Sequence, residues 1–325
     1  VDGRALNVTI SIGMVMSDDR YQKPEEMLRD ADTAMYAAKA QGRGRGQLFD
    51  VAMHDAAQER LRLESDLARA IEREEFVVHY QPILSLADGR VEGFEALVRW
   101  RHPELGLLAP GRFMSLAEET GLVVPLGRWV MREACRQLRD WSVRIPDAAT
   151  LTVSVNLTAR EFADPFLVDD VEAMLEETGL APARLKLEIL EGALLDASPE
   201  TVATLSRIRA LGIELVLDDF GTGYSTLSYL QKFPLNTIKV DRAFVQRIGA
   251  AEDSGGLVRA IVSVATTLSM DVTAEGIETA EQLACVSALD CQRGQGYFFS
   301  RPLDGAAMEA WLAARRAVPV LSAHP

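Results

Sequence analysis

From residue 75 onward the chain alternates short apolar runs with longer amphipathic stretches. "FVVHYQ", "FEALVRW", "LTVSVN", "LKLEIL", "IELVLDD", "NTIKVD", "DVTAEG" and "QGYFFS" have the length and β-branched content of strands. Between most of them lie helical patterns such as "GRWVMREACRQLRDW" and "PETVATLSRIRALG". Alternating β and α predicts a parallel sheet or barrel. Eight such runs over about 240 residues predict an α/β fold of the (β/α)8 barrel type. Upstream, "NVTISIG" (7–13) alternates Val8, Ile10 and Ile12 as a strand would. A helix follows, with Pro24 in its first turn and a stripe of Met27, Leu28, Ala31, Ala34, Met35 and Ala38, stopped by Gly42 and Gly44. One strand and one helix cannot bury a core, so residues 1–50 read as the tail end of another domain. Leu61, Leu63, Leu67 and Ile71 predict a connecting helix over 51–74. The barrel is expected over 75–317 and a tail over 318–325.

Composition narrows the chemistry. The 325 residues are 48% hydrophobic and 25% charged, and no apolar stretch reaches the ~20 residues of a spanning helix. The opening "VDGRALNVTISIG" reads as the middle of a longer protein, with any sensor or anchor lying upstream. A net charge of −14 argues against a nucleic-acid polymer as partner, which needs basic surface. It leaves room for a small phosphorylated ligand if cations neutralise the site. Cys135, Cys285 and Cys291 show no CxxC pairing and read as free thiols of a reducing, cytoplasmic setting. The four histidines form no zinc-binding pattern, so any metal should be a hard ion held by oxygen.

The candidate chemistry sits at the ends of the predicted strands, where such barrels carry their active sites. The residues there are Gln81; Glu95 and Arg99; Asn156; Glu188 and Glu191; Asp218 and Asp219; Lys239 and Asp241; Glu275 and Glu278; and Gln295. One buried acid is readily a satisfied core residue. Acids at this density repel one another and resist desolvation unless cations are bound. Asp218 and Asp219 raise a particular question, because adjacent strand residues point to opposite faces. With Glu95, Asn156 and Glu188 they can offer oxygen to two divalent ions, about 3.5–4 Å apart in the usual phosphodiester-hydrolysing arrangement. Lys239 is the cation projected into the same mouth. Trp100, Trp129 and Trp141 read as packing residues. "GTG" is weak evidence for a phosphate cradle. Asp241 reads equally as a supporting residue of the site and as an interface residue.

These blocks resemble the EAL family of cyclic di-GMP phosphodiesterases. "YQPI", "EALVRW", "SVNLT", "LEILE", "DDFGTGYSTL", "IKVD", "AEGIET" and "GQGYFFSRP" occur in order between about residues 62 and 316. Residues 1–50, with "SIG" and "ADTAMYAAKAQGRGR", resemble the end of a GGDEF, diguanylate cyclase-like domain without its catalytic turn. The EAL resemblance implies hydrolysis of cyclic di-GMP to linear pGpG with two Mg2+ or Mn2+ ions. It makes Glu95, Asn156, Glu188 and Asp218 ligands of one ion, and Asp218 and Asp219 holders of the second. Lys239 would touch the attacking water or the phosphate, and Glu275 would act as base or water-orienting carboxylate. Gln81, Arg99, Glu278 and Gln295 would lie along the substrate, and Glu191 would anchor the loop after Asp219. A homodimer through the barrel, with no membrane contact by this segment, is also implied. Leu190 and Thr226 depart from the family's usual residues without removing a ligand. Two other readings stay open: a receptor that binds cyclic di-GMP without turnover, and an enolase-type barrel with Lys239 as base.

Overall fold

The structure is a computed structural model describing residues 9–40, 44–194, 198–221, 230–249 and 255–316. The chain divides into two compact units, Val1–Ala70 and Ile71–Pro325.

In the first unit, strand β1 (Ile12–Met14) pairs in parallel with β2 (Gly46–Leu48), and the helix Pro24–Ala40 packs on both. A side chain at Gly13 would meet Ala31 O at 1.9 Å, which is how closely the helix lies on the strand. Ala34 and Ala38 are buried, but Leu28, Ile12 and Met14 are exposed, so Leu28 does not share the covered stripe. The strand expected at 7–13 starts at Ile12, and residues 1–8 lie outside the described ones. The helix Val51–Ala70 completes the unit, with Leu63 and Leu67 buried and Leu61 exposed.

In the second unit, eight strands close into a barrel. They are β3 (Phe76–Ser85), β4 (Val91–His102), β6 (Thr152–Leu157), β7 (Leu185–Leu190), β8 (Glu214–Phe220), β9 (Thr237–Val240), β10 (Asp271–Ala274) and β11 (Arg293–Gly294). Short strands β5 (Gly106–Leu108) and β12 (Leu303–Asp304) extend the outer ends of β4 and β3. Strands β4 to β11 run parallel around the ring, whereas β3 is antiparallel to both β4 and β11. The uniform parallel order expected from the alternation is corrected at this one strand, because β3 and β4 are joined by a short turn rather than a helix.

The last apolar run is corrected too. "QGYFFS" is a turn, and the eighth strand is Arg293–Gly294 just before it. Ile277 N–H donates to Gln295 O and Phe298 N–H to Ile277 O, and a Cβ on Gly296 would meet Ile277 O at 2.1 Å. Backbone contact with Ile277 thus bends the run away from strand pairing.

The alternation of the strands is apolar outward and polar inward. Leu185, Leu187 and Ile189 of β7 are fully buried toward the helices. Lys186 and Glu188 of the same strand line the barrel interior beside Ser154, Thr237 and Thr273. The helix Val123–Arg144 covers β3, β4 and β6 with Leu126, Val130, Ala134, Leu138 and Trp141 at three- and four-residue spacing. Trp141 packs on Tyr80 and Phe94, with ring centroids 4.9 and 5.0 Å away. Trp100 and Trp129 pack on Phe76, so all three tryptophans are packing residues. Among the described residues, no helix is long and apolar enough to cross a membrane.

Candidate active site

Register decides which polar side chains share a level in the barrel. Gln81 of β3 lies directly opposite Glu95 of β4, and Asn156 of β6 opposite Glu188 of β7. Both Gln81 and Glu95 are mid-strand, since β3 and β4 run on past the rim. Arg99 is also within β4 rather than beyond its end. Gln295 Nε2 donates to Glu95 Oε2 at 2.5 Å and to Gln81 Oε1 at 3.0 Å. Asn156 Nδ2 donates to Glu95 Oε1 at 3.0 Å. These neutral amides hold the Glu95 carboxylate in one orientation.

Lys239 of β9 stands at the centre. Its Nζ lies 2.6 Å from Glu188 Oε2, 2.6 Å from Glu275 Oε1, 3.3 Å from Asp218 Oδ1 and 3.4 Å from Glu95 Oε2. Burial opposes the ammonium charge, but attraction to Asp218, Glu188, Glu275 and Glu95 outweighs it and raises the lysine pKa well above its ordinary value. Glu95 responds in the opposite sense. Burial pushes its carboxyl up, yet Lys239 and the hydrogen bonds from Gln295 and Asn156 leave it below the usual range. Burial and the negative charges of Glu95 and Asp218 push Glu188 up to about 8 despite Lys239. Glu275 is raised well above its ordinary value by burial and by Asp218 and Glu95.

The question posed by two adjacent acids is answered by a β-bulge. Along the β8–β9 pair, Leu217 faces Ile238 and the next matched pair is Phe220 with Val240. Asp218 and Asp219 together therefore stand opposite Lys239. Asp219 takes φ +55°, in the left-handed region, and the bulge breaks the strict alternation of faces. Asp218, Asp219 and Glu275 consequently present carboxylate oxygens within 4.8 Å of one another. Asp219 shares a hydrogen bond with Asp241, and burial, Asp218 and Asp241 push its carboxyl up to about 7.

This donor set fits a hard divalent cation: it is all oxygen, and its carboxylate charge exceeds what Lys239 supplies. Gln295 Oε1, buried and without a hydrogen-bond partner among the described residues, is a further acceptor beside these side chains. Among the described residues, Asp218, Asp219 and Glu275 bring carboxylate oxygens close enough together to share one ion, and Glu95 and Glu188 also lie within 3.4 Å of Lys239 Nζ.

The sequence-predicted residues are not all gathered. Glu278 is exposed at the start of the helix Ala280–Ala288, its backbone N–H donating to Gln282 Oε1. Among the described residues its carboxylate makes no hydrogen bond or ion pair with the cluster. Arg99 is half-buried, its Nη1 donating to Val98 O. Burial lowers its pKa, and the nearness of Tyr297 and Glu95 partly offsets this. Glu191 opens the short helix Glu191–Leu194 and accepts from Gly221 N–H. Residues 222–229, which hold most of the "FGTGYST" loop, lie outside the described residues. Sequence reasoning placed Glu275 apart from the metal-holding acids and left Asp241 undecided. The available signal was their position: Asp241 directly follows β9, two residues after Lys239, and Glu275 directly follows the neighbouring β10.

Known proteins resemble this chain in sequence and in fold. A family model described as EAL domain matches residues 64–302, and one described as Diguanylate cyclase, GGDEF domain matches residues 1–45. The cyclic di-GMP phosphodiesterase NbdA of Pseudomonas aeruginosa is 44% identical over 316 residues, covering 97% of this chain and 40% of that one. The bifunctional diguanylate cyclase/cyclic di-GMP phosphodiesterase MucR of the same organism is 40% identical over 298 residues, 92% of this chain and 43% of that one. The chain thus spans about two fifths of these relatives' length. The solved structure of the PaMucR phosphodiesterase in complex with c-di-GMP is 40% identical, with a TM-score of 0.73 over 76% of this chain and 99% of that one. The EAL enzyme Bd1971, with cAMP and cyclic-di-GMP bound, is 33% identical, with a TM-score of 0.74 over 78% of this chain and 69% of that one. With a family match across most of its length and a barrel of the same shape, this chain belongs to the EAL domain family.

Proposed function

We propose that the barrel hydrolyses cyclic di-GMP to linear pGpG. The observation that carries this reading is Lys239 Nζ within 3.4 Å of Glu95, Glu188, Asp218 and Glu275 at one end of the barrel, in a chain whose relatives are named for that reaction. Glu95, Asn156, Glu188 and Asp218 would hold one Mg2+ or Mn2+ ion, and Asp218 and Asp219, with Glu275 beside them, a second. Such ions, when bound, polarise the phosphoryl oxygens and make a water nucleophilic near neutral pH. The water oxygen attacks one phosphorus in line, and the 3′-oxygen leaves.

The chain's own residues supply the rest. Lys239 brings positive charge to the phosphate as negative charge grows on its oxygens. Glu275 receives or orients the proton of the attacking water. Arg99 offers its guanidinium to a phosphate, and Gln81 and Gln295 orient Glu95 and line the substrate's path. Glu191 anchors the root of the loop after Asp219. A homodimer through the barrel remains part of this reading, supported by the family likeness alone. Light scattering measures it directly.

The test is formation of pGpG from cyclic di-GMP with Mg2+ or Mn2+, by wild type and by Glu95→Ala. Turnover lost by roughly two to four orders of magnitude in Glu95→Ala is expected for removal of a direct ligand. Tight binding without turnover in the wild type would replace hydrolase by receptor. The enolase-type reading falls with the family assignment.

A further inference from the structure

We propose that His79 is a further substrate-contacting residue, accepting a hydrogen bond from a nucleoside N–H or O–H at the rim of the barrel mouth. The inference rests on the cyclic dinucleotide reading above. His79 pairs with Leu97 of β4 on one side and with Asp304 of β12 on the other. Its neighbour Tyr80 turns outward onto Trp141, so His79 shares the inward face with Gln81. It stands two residues, about 7 Å, nearer the rim than Gln81, because β3 runs against β4. Leu97 and Arg99 continue the inward face of β4 beyond Glu95 in the same way. Val77, His79, Leu97 and Arg99 are all half-buried, so the two strands form a ledge above the carboxylate cluster whose side chains are partly open.

The bonding of the ring fixes what it can offer. One ring N–H donates to Pro302 O. Partial burial, and then the positive charge of nearby Arg99, lower the imidazole pKa from its ordinary value. The neutral ring is thereby favoured, and a neutral imidazole has a single N–H. With that proton given to a carbonyl, the second nitrogen is a lone-pair acceptor. Arg99 is a donor only, so the two groups are complementary. A phosphodiester offers acceptors alone and matches Arg99. The donors of a cyclic dinucleotide are its guanine N–H groups and ribose hydroxyls, and these match His79. His79 neither holds an ion nor moves a proton in the hydrolysis, so its effect falls on binding.

Calorimetric titration with cyclic di-GMP, Ca2+ replacing Mg2+ to hold turnover off, reads the contact directly. His79→Phe keeps the bulk of the ring without its nitrogens and should bind about three- to tenfold more weakly than wild type, the value of one hydrogen bond. In Mg2+ its KM should rise by the same factor, with kcat within about twofold of wild type. His79→Asn and His79→Gln keep an amide donor and acceptor at the reach of one ring nitrogen or the other, and the better of them should bind within about twofold of wild type. With the 2′-deoxy analogue of cyclic di-GMP, a His79→Phe effect that vanishes assigns the donor to the ribose, and one that persists assigns it to guanine. Absence of cyclic di-GMP binding, equal affinity of wild type and His79→Phe, a loss confined to kcat, or failure of both amides to restore binding would each overturn the proposal. Should His79→Phe not fold, His79→Ala takes its place. Binding without hydrolysis in the wild type would instead strike the hydrolase reading and leave this contact standing.

Discussion

Glu191 Oε2 accepts a hydrogen bond from the backbone N–H of Gly221 at 2.9 Å, two residues beyond Asp219. The carboxylate at the end of β7 therefore fixes the chain just after the bulge at the end of β8. Gly221 itself has φ +101°, and a Cβ there would meet the Phe244 ring at 2.9 Å, so the chain has little freedom to find another course. The anchoring partners expected from Thr222 to Ser225 lie outside the described residues, and the bond observed is one step nearer the acid. We predict that Glu191→Ala lowers turnover by about a hundredfold, the scale of a displacement of ~1 Å in a reacting group. Metal titration of turnover should show a weakened second ion, beside an unchanged thermal melt. Wild-type activity at low Mg2+, or loss of the fold, would return Glu191 to a plain helix-start role.

Lys239 is the cation holding Glu188, Glu275, Asp218 and Glu95 together. Removing one partner of a buried ionic cluster costs about 3–5 kcal/mol, because the other charges stay buried without compensation. Lys239→Met should therefore melt at a clearly lower temperature than wild type in EDTA. Excess Mg2+ should restore more stability to the variant than to wild type. Equal Mg2+ effects on the two melts would mean that the ammonium and the ions do not share these carboxylates.

The identity of the ion should matter through bond length. Mg2+ takes oxygen at about 2.0–2.1 Å in octahedral geometry, whereas Ca2+ takes it at about 2.3–2.6 Å with looser coordination. Turnover should thus proceed with Mg2+ or Mn2+ and fall as Ca2+ replaces them, followed as pGpG formation at fixed total divalent ion. Full activity with Ca2+ alone contradicts the expected ligand geometry.

A pH effect on stability should also arise at Glu161, in the helix that follows β6. This carboxylate closes the N-terminus of the short helix Ala159–Phe162, accepting from Thr158 N–H at 2.8 Å and Thr158 Oγ1 at 2.7 Å. It is only 4% exposed and rests against Gly127, where a Cβ would lie 1.8 Å from Oε1. Burial pushes it up to about 7 from 4.5, the Thr158 hydrogen bonds and Arg128 only partly opposing. A carboxyl raised in the folded state binds its proton more tightly there than when unfolded. Its contribution is complete below about pH 4.5 and is lost as pH rises through 7. The full span is on the order of 3 kcal/mol. Wild type should gain more melting temperature than Glu161→Gln between pH 8 and pH 5, in calorimetric scans of both. Parallel pH profiles would refute the assignment.

Much of the barrel was legible in the sequence because alternation with a period of two is a local property. Leu185, Leu187 and Ile189 facing helices, with Lys186 and Glu188 facing inward, follow from the pleat alone. The charged ends of the runs likewise marked the site, since acids at that density have few purely structural explanations. Strand direction is another matter. Nothing in "FVVHYQ" says that β3 runs against its neighbours, because direction depends on the length of the connection and on hydrogen bonds to β11, more than 200 residues away. "QGYFFS" carries the composition of a strand and is a turn, since the backbone of Ile277 occupies the space a partner strand would need.

By itself the sequence determined which residues could form strands, which faces would be apolar, and that oxygen-bearing side chains would collect at the strand ends. Only the tertiary structure decided that Asp218 and Asp219 both reach Lys239, through a bulge that depends on the left-handed conformation of Asp219. It also brought Glu275 within ligand distance of both. The physical reason is that side-chain alternation is written in each strand alone, whereas register, bulges and strand direction are set by pairing between strands distant in the chain.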